Sequence, residues 1–185
     1  MTRRSLLSLL GMLPFVRPAS VMAAGPVPPG VMTPQVEELR AGWRMFLAKD
    51  AKIAGDATPI TMSNDAWRKL LAPDAYVVLR EAGTERPFSS PLDREKRRGV
   101  FVCAGCSLPV FTSAMKFDSG TGWPSFFTTI AGAFDTSMDH GIPYPRIEYH
   151  CAKCGGHHGH VFDDGPRPTG QRWCNNGVAL RFIPA

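Results

Sequence analysis

The sequence predicts a mainly β domain that is preceded by short helices and stabilised by a four-cysteine zinc site. Two observations support this fold class. After Gly99, apolar residues occur in short or alternating runs separated by turn residues, as in β-strands. Two C-x-x-C pairs, Cys103/Cys106 and Cys151/Cys154, supply the four thiolates of a tetrahedral zinc site. With 185 residues, of which 44% are hydrophobic, the chain is long enough for one domain with its own core.

The first 24 residues have the pattern of an export signal. The charged pair Arg3-Arg4 is followed by an apolar run over residues 6–16 and then by small residues. This run is too short to span a bilayer, so we expect no stable membrane anchor. The arginine pair resembles a twin-arginine signal, and a Sec-type leader is the alternative. Because a zinc domain is best loaded with metal in the cytoplasm and exported folded, we expect the twin-arginine route and a periplasmic location.

Residues 25–62 are predicted to contain a linker and one helix. The segment 25–30 is rich in proline and glycine and has no apolar period. From Thr33 to about Asp50 the apolar residues fit one face of a helix, with Thr33 as its N-cap.

Residues 63–185 are predicted to be the main domain. It begins with two short helices, one capped by Ser63 or Asn64 and one over residues 74–81. Five strands are predicted, at residues 100–103, 109–111, 146–151, 160–162 and 178–183. Loops are expected at residues 83–99, 120–125 and 163–170.

The charge of the chain gives no support to a nucleic-acid partner. The formal charge of +5 includes three arginines from residues 1–24, a segment without acidic residues. The remainder has 18 basic against 16 acidic side chains and no stripe of Lys and Arg that would track phosphates. A zinc-ribbon module that binds nucleic acid is therefore disfavoured.

The cysteine pairs have alternative interpretations. An exported protein meets an oxidising compartment, so two disulfides or redox-active dithiols are the alternatives to zinc. Neighbouring C-x-x-C cysteines rarely form structural disulfides, and Gly105 and Gly155 allow the tight turns of zinc knuckles. We expect one structural Zn²⁺ per chain, and an apo-protein that is loose or unfolded.

Cys174 is the fifth cysteine and belongs to neither C-x-x-C pair. Arg172 precedes it and Asn176 follows it, each at a distance of two residues. A buried core thiol is the alternative interpretation, but such a thiol would avoid these polar and cationic neighbours. A nearby guanidinium favours the thiolate and lowers the thiol pKa, so Cys174 is predicted to be a nucleophile.

Histidines and aromatic residues complete the predicted site. His157, His158 and His160 could bind a metal, but the cysteine pairs already supply a full ligand set. We therefore expect acid/base and orienting roles for two of them. Trp123 and Phe126 belong to an aromatic stretch whose default interpretation is core packing. A Trp held extended by the following proline would also form a rigid wall for a methyl-sulfur group.

Together these motifs resemble the methionine-R-sulfoxide reductases, the B type of methionine sulfoxide reductase. The resemblance covers about residues 63–183. The motifs that carry it are Glu85-Arg-Pro-Phe88, Val102-Cys-Ala-Gly-Cys106, Lys116-Phe-Asp-Ser-Gly-Thr-Gly-Trp-Pro-Ser-Phe126, Arg146-Ile-Glu148, Cys151-x-x-Cys154, His157-x-Gly-His160-Val-Phe, Asp164-Gly-Pro-x-Pro-Thr-Gly170 and Arg172-x-Cys174-x-Asn176. The resemblance implies a small antiparallel β-sheet domain with short N-terminal helices, in which the zinc lies away from the active site.

The resemblance also implies a reaction. The Cys174 thiolate attacks the sulfur of methionine-R-sulfoxide, in oxidised proteins and possibly as the free amino acid, and histidine protonates the oxygen. Methionine leaves, Cys174 becomes a sulfenic acid, and a thiol restores it, so that oxidised proteins are repaired. The implied catalytic residues are Cys174, His157, His160, Arg172 and Asn176, and the implied substrate contacts are Trp123 and Phe126.

Four departures from the usual family pattern bear on this reaction. Thr121 stands where many members have a resolving cysteine, so we expect a thioredoxin-like protein or a small thiol as reductant, unless one of the zinc cysteines is recruited. His158 replaces a common leucine and Trp173 a common tyrosine, and both are expected to alter the pocket. Gly177 replaces a common serine.

The protein is expected to be a monomer. The rival functions are a general thiol oxidoreductase that uses the C-x-x-C pairs and a domain kept only to bind methionine sulfoxide or copper.

Overall fold

The computed structural model describes residues 32–185, except for residues 52, 54, 142 and 143. The predicted export signal and the proline- and glycine-rich segment 25–30 lie outside this part of the chain. Helix α1 (Pro34–Ala41) begins at Thr33, whose hydroxyl accepts a hydrogen bond from the Val36 amide at 3.4 Å. The helix is shorter than predicted because Gly42 caps it, and a 3₁₀ turn at Trp43–Phe46 follows.

Two further helices confirm the short helical segments predicted for the start of the main domain. Helix α2 (Asn64–Leu70) is capped by Ser63, whose hydroxyl accepts from the Ala66 amide at 3.2 Å. Helix α3 (Pro73–Glu81) begins with a proline, which is favoured in the first turn. Among the described residues, no helix combines the length and apolar character that crossing a bilayer requires.

The smaller of two sheets has three strands. Strand β1 (Gly99–Cys103) lies between β2 (Pro109–Thr112) and β9 (Leu180–Pro184), and both pairings are antiparallel. Every residue of β1 is buried, which explains its continuous apolar run in the sequence.

The larger sheet has six strands: β3 (Lys116–Phe117), β4 (Ser125–Phe126), β5 (Phe134–Asp139), β6 (Arg146–Cys151), β7 (His157–Phe162) and β8 (Arg172–Asn175). They lie in the order β3-β4-β8-β7-β6-β5, and their pairings are antiparallel. The expected mainly β, antiparallel fold with short N-terminal helices is confirmed.

Four of these strands were not predicted, for physical reasons. Strands β3 and β4 are only two residues long, too short to show any alternation. Strand β5 is an exposed edge strand with mostly polar residues, and β8 reads Arg-Trp-Cys-Asn, so neither has the apolar pattern of a strand.

Stacked aromatic rings fill the core. Phe111 and Phe126 are fully buried and stack with their centroids 3.8 Å apart, and Phe101 meets Phe126 edge-on at 5.1 Å. Strand β1 carries Phe101 and β2 carries Phe111, while β4 carries Phe126, so this contact joins the two sheets. Burying such a ring stabilises the fold by roughly 1.5–3 kcal/mol.

An irregularity in the pairing of β6 and β7 decides where the histidines lie. Tyr149 pairs with Gly159, but the next residue, His150, pairs with His157, so β7 contains one extra residue at this point. Such a bulge reverses the alternation of side chains between the two faces. His157 and His160 are three residues apart and would lie on opposite faces of a regular strand. The bulge brings them to the same face, with ring centroids 5.4 Å apart.

Candidate active site and metal centre

Four cysteine side chains meet at one point. Cys103 and Cys106 come from the turn after β1, and Cys151 and Cys154 from the turn after β6. Their four Sγ atoms lie within 4.8 Å of one another, with Cys103 and Cys154 at 3.7 Å and Cys106 and Cys151 at 3.5 Å. Zinc–sulfur bonds of ~2.3 Å in a tetrahedron place the sulfurs ~3.8 Å apart, so this donor set fits a tetrahedral metal ion.

The cysteine cluster joins the two sheets. One pair of ligands is attached to the three-stranded sheet through β1 and the other to the six-stranded sheet through β6 and β7. The helices pack over the cluster: Arg80 donates a hydrogen bond to the Cys154 carbonyl at 2.8 Å, and its guanidinium lies 5.1 Å from the ring centroid of Trp67. A bound metal would therefore cross-link separate parts of the fold.

Cys174 lies apart from this cluster, on β8, where it pairs directly with His160 of β7. Its side chain faces a cavity of about 120 Å³, which is smaller than the ~300–1,000 Å³ typical of sites for drug-sized ligands. The cavity therefore suits the end of a side chain. Its lining residues are Thr84, Trp123, Arg146, Gly159, His160, Phe162, Cys174, Asn175 and Asn176.

Arg172 is fixed beside the cysteine. Its guanidinium donates paired hydrogen bonds to the two carboxylate oxygens of Asp164, at 2.8 and 2.9 Å, and lies over the ring of Phe162 at 4.3 Å. The cation also favours the charged form of Cys174. The predicted proximity of Arg172 and Cys174 is confirmed, and Asp164 is the group that orients the arginine.

The pKa of Cys174 departs from the expectation. Burial raises the pKa of the Cys174 thiol above its usual value of 9.0, although Arg172 and a hydrogen bond from Thr121 lower it. The predicted lowering by the guanidinium is present but smaller than the opposing effect of burial, which sequence reasoning did not include. The guanidinium thus acts on Cys174 in the predicted direction, and burial acts against it.

Replacing Arg172 by Met is expected to raise the pKa of Cys174 further, because it removes the cation and its hydrogen bond while the thiol stays buried. The measurement is the pH dependence of iodoacetamide alkylation at Cys174, followed by peptide mass. The midpoint should move to higher pH, by about one unit for each ~1.4 kcal/mol of lost interaction. Arg181→Met, at an exposed arginine outside the cavity, should leave it unchanged. A midpoint that falls in Arg172→Met would contradict the account.

The two histidines that share a face of the sheet have different environments. His160 lines the cavity, and its Nε2 lies 2.9 Å from the Asp139 carboxylate. Burial lowers the pKa of His160 below its usual value, against the hydrogen bond to Asp139, which raises it. His157 is buried behind His160, with Nδ1 at 2.6 Å from Glu148. His160 is thus placed to contact a substrate, whereas His157 does not line the cavity.

Trp123 and Asn176 line the cavity as predicted, and Glu85 ties them together. The indole Nε1 of Trp123 donates to the Glu85 carbonyl at 3.2 Å, and the Glu85 amide donates to Asn176 Oδ1 at 3.0 Å. The Glu85 carboxylate accepts hydrogen bonds from the amides of Gly177 and Val178. One residue therefore positions both the tryptophan wall and the segment that follows Cys174.

Phe126 does not contact the cavity, so its predicted substrate contact is corrected. Its side chain is 0% exposed and belongs to the aromatic core. On β4, Phe126 pairs with Trp173, whereas Ser125 pairs with Cys174. Because side chains alternate along a strand, Phe126 points to the face opposite the cysteine.

His158 and Trp173 also lie away from the cavity. His158 is fully buried, and its Nδ1 is 3.1 Å from Asn175 Oδ1, which also accepts the Tyr149 hydroxyl at 2.9 Å. Burial lowers the pKa of His158 to about 4, so the ring is neutral at pH 7. Neither residue lines the cavity, and His158 reaches it only through Asn175, so their expected effect on the pocket would be indirect. The presence of glycine at position 177 has a local explanation, because a Cβ there would lie 2.0 Å from Ser90 Oγ.

Several supporting residues were missed by sequence reasoning. Glu85, Arg146, Glu148 and Asp164 occur in the motifs that the sequence shows, but their positions in the site were not inferred. Asp139 belongs to no motif, and its role follows only from the pairing of β5 with β6, which sets it opposite Arg146.

Fold and site together define a cysteine-dependent β-sheet domain with a separate thiolate metal centre. The family model described as the SelR domain matches residues 71–184. The peptide methionine sulfoxide reductase MsrB of Methanosarcina mazei is 48% identical over 124 residues, which are 66% of this chain and 89% of that protein. The MsrB of Bradyrhizobium diazoefficiens is 47% identical over 136 residues, 73% of this chain and 98% of its own length. The chloroplastic peptide methionine sulfoxide reductase B1 of Arabidopsis thaliana is 48% identical over 123 residues, 66% of this chain and 61% of the plant protein.

The residues matched by the family model span the described β domain and both cysteine sites. The chain belongs to the SelR family of methionine-R-sulfoxide reductases of the B type. The family resemblance seen in the sequence is thereby confirmed.

Proposed function

We propose that this chain reduces methionine-R-sulfoxide in oxidised proteins to methionine, with Cys174 as the nucleophile. The observation that carries the proposal is the direct pairing of Cys174 with His160 at a small cavity walled by Trp123. A thiol, a proton donor and an apolar wall are the groups that reduction of a methyl sulfoxide needs. The names of the relatives, peptide methionine sulfoxide reductases, support the same substrate.

In the proposed reaction the Cys174 thiolate bonds to the sulfoxide sulfur while the sulfoxide oxygen is protonated from the His160 side. The oxygen passes to the cysteine, which leaves methionine and a Cys174 sulfenic acid. The substrate sulfur is reduced by two electrons and Cys174 is oxidised by two. A thiol then attacks the sulfenic acid, releasing water and forming a mixed disulfide. A second thiol frees Cys174 and carries away the disulfide.

The thiol in the second half of the reaction is proposed to come from a thioredoxin-like protein or a small molecule. The other four cysteines form the metal centre. Thr121 lies beside Cys174 and offers no thiol at that point. An external thiol is therefore the proposed reductant, and recruitment of one cysteine of the metal centre is the alternative.

One equivalent of substrate without reductant is expected to leave Cys174 as a sulfenic acid that adds one dimedone, as measured by intact and peptide mass. Thr121→Cys is the matched control, because the introduced thiol stands where Thr121 contacts Cys174. This variant should instead form an internal disulfide and add no dimedone. An internal disulfide in the unsubstituted protein would contradict the proposed need for an external thiol.

We further propose that the metal is one structural Zn²⁺, which four thiolates suit and which would leave no open position for substrate. The bound Zn²⁺ would hold the two C-x-x-C turns in place, and it would take no part in the reduction of the sulfoxide. Metal analysis of the purified protein should give one zinc per chain. A metal-free protein with four freely titrating thiols would favour the alternative of a thiol oxidoreductase that uses the C-x-x-C pairs.

The periplasmic location is likewise a proposal, supported by the Arg3-Arg4 pair and the short apolar run of residues 1–24. The N-terminus of the protein isolated from its host should lie near residue 24. An N-terminus at Met1 or Thr2 would reject export with cleavage.

A further inference from the structure

Arg146 is a cavity residue to which the proposed reaction gives no role. It begins β6, its side chain is 34% exposed, and it lines the cavity together with His160 and Cys174. Its side chain thus borders the same cavity as the reacting cysteine. Its surroundings therefore indicate what it could bind.

Asp139 holds Arg146 in place. Asp139 Oδ2 accepts from Arg146 Nη2 at 2.7 Å and lies 2.9 Å from His160 Nε2, while Oδ1 accepts from the Gly141 amide at 2.8 Å. This engagement of the carboxylate, above all by the Gly141 amide and Arg146, lowers the pKa of Asp139 well below its usual range. The aspartate thus remains charged and fixes the guanidinium next to the histidine.

The guanidinium keeps donors for a ligand. Among the described residues, Arg146 makes this one side-chain hydrogen bond, and its Nε is enclosed without a partner. An arginine side chain has five N–H donors in a rigid fork. The enclosed Nε is out of a ligand's reach, so an acceptor bound in the cavity would take one of the remaining Nη hydrogens.

Sheet geometry sets the distance that such a ligand must span. Strand β6, which carries Arg146, is separated from β8, which carries Cys174, by strand β7. Glu148, His160 and Cys174 lie side by side across these three strands, and Arg146 is two residues before Glu148 on β6. Strand and residue spacings place the two Cα atoms ~12 Å apart. Two side chains that point into the same cavity then leave a gap of a few ångströms between their ends. In methionine sulfoxide, three carbons separate the sulfur from the carbonyl carbon, which suits such a gap.

We propose that Arg146 binds the main-chain carbonyl oxygen of the methionine sulfoxide residue while its sulfur faces Cys174, an inference that rests on the proposed function. His160 pairs directly with Cys174 and so lies nearer to the sulfoxide oxygen. The charge of Arg146 is already balanced by Asp139, which reduces its attraction for the carboxylate of a free amino acid. The neutral carbonyl of a peptide accepts the hydrogen bond from Arg146 and does not depend on the attraction between opposite charges. Arg146 therefore favours protein-bound substrate.

The test compares two substrates in the zinc-loaded protein. One is N-acetyl-methionine-R-sulfoxide methylamide, which has main-chain carbonyls, and the other is propyl methyl sulfoxide, which has none. Arg146→Gln is expected to raise KM for the amide about tenfold or more and to leave its kcat within about threefold. The constants for the truncated sulfoxide should stay unchanged. Arg146→Lys should give an intermediate KM, because it keeps a cationic donor without the fork.

Controls separate this role from a structural one. Arg68→Gln removes an arginine from an exposed ion pair with Glu81 outside the cavity and should change neither substrate's constants. Metal content and melting temperature confirm that each variant is folded. Equal losses on both substrates in Arg146→Gln and Arg146→Lys would mean that Arg146 acts through Asp139 and His160, and would overturn the proposal. Unchanged constants for the amide would overturn it too. Failure of the unsubstituted protein on both substrates would reject the proposed function instead.

Discussion

Removal of the metal is expected to abolish the cooperative unfolding transition of the domain. The cysteine cluster joins the turn after β1 to the turn after β6, and thus one sheet to the other. Binding of a structural zinc contributes ~10 kcal/mol or more. A domain of this size has a total stability of ~5–15 kcal/mol. Chelation, or Cys151→Ser, should therefore leave a chain that melts without a cooperative step, as followed by circular dichroism and metal analysis.

The matched control is Cys174→Ser, which removes the cysteine outside the cluster. It should retain the metal and melt within a few degrees of the unsubstituted protein. Restoring zinc to the chelated protein should recover the transition. If the metal-free protein melted cooperatively at the original temperature, the cluster would not be what holds the two sheets together.

Replacing His160 by Gln is expected to lower kcat by ~10²–10⁴-fold, the usual contribution of a positioned proton donor. Glutamine retains a polar side chain of similar reach but cannot exchange a proton near neutral pH. Because His160 pairs with Cys174 and is held by Asp139, the loss should appear in kcat more than in KM. The measurement is thiol-dependent sulfoxide reduction under steady-state conditions, with the metal content checked in parallel.

His140→Gln provides the comparison for this variant, since His140 is exposed and does not line the cavity. Its kcat should remain close to that of the unsubstituted protein. An equal effect of the two substitutions, or a loss of less than threefold in His160→Gln, would exclude His160 as the proton donor.

The metal centre could be predicted from the sequence because its geometry is local. Each C-x-x-C pair folds into its own knuckle, so the spacing alone indicates the site and the structure brings the pairs together. The same holds for Arg172, which lies two residues from Cys174 on one short strand. Thr33 was identified as a helix cap, and Ser63 as one of two candidates, for a similar reason, since capping depends on the next few residues.

The arrangement of the histidines could not be predicted, because it depends on a bulge between two strands. Without the extra residue in β7, His157 and His160 would lie on opposite faces of the sheet. No local sequence pattern indicates this bulge. The position of Asp139 depends in the same way on the register of β5 against β6. Burial, which raises the pKa of Cys174 and removes Phe126 from the cavity, is likewise a property of the whole fold.

The most direct test of the central claim is the reduction of the separate R and S epimers of methionine sulfoxide, as N-acetyl esters, with dithiothreitol. The zinc-loaded protein should consume the R epimer only, and Cys174→Ser should consume neither. This result would establish the reaction, its stereochemistry and the nucleophile together. If the folded, zinc-loaded protein reduced neither epimer, the domain would be a binding protein that retains the reductase fold, and the assignment of Cys174 as a nucleophile would be wrong.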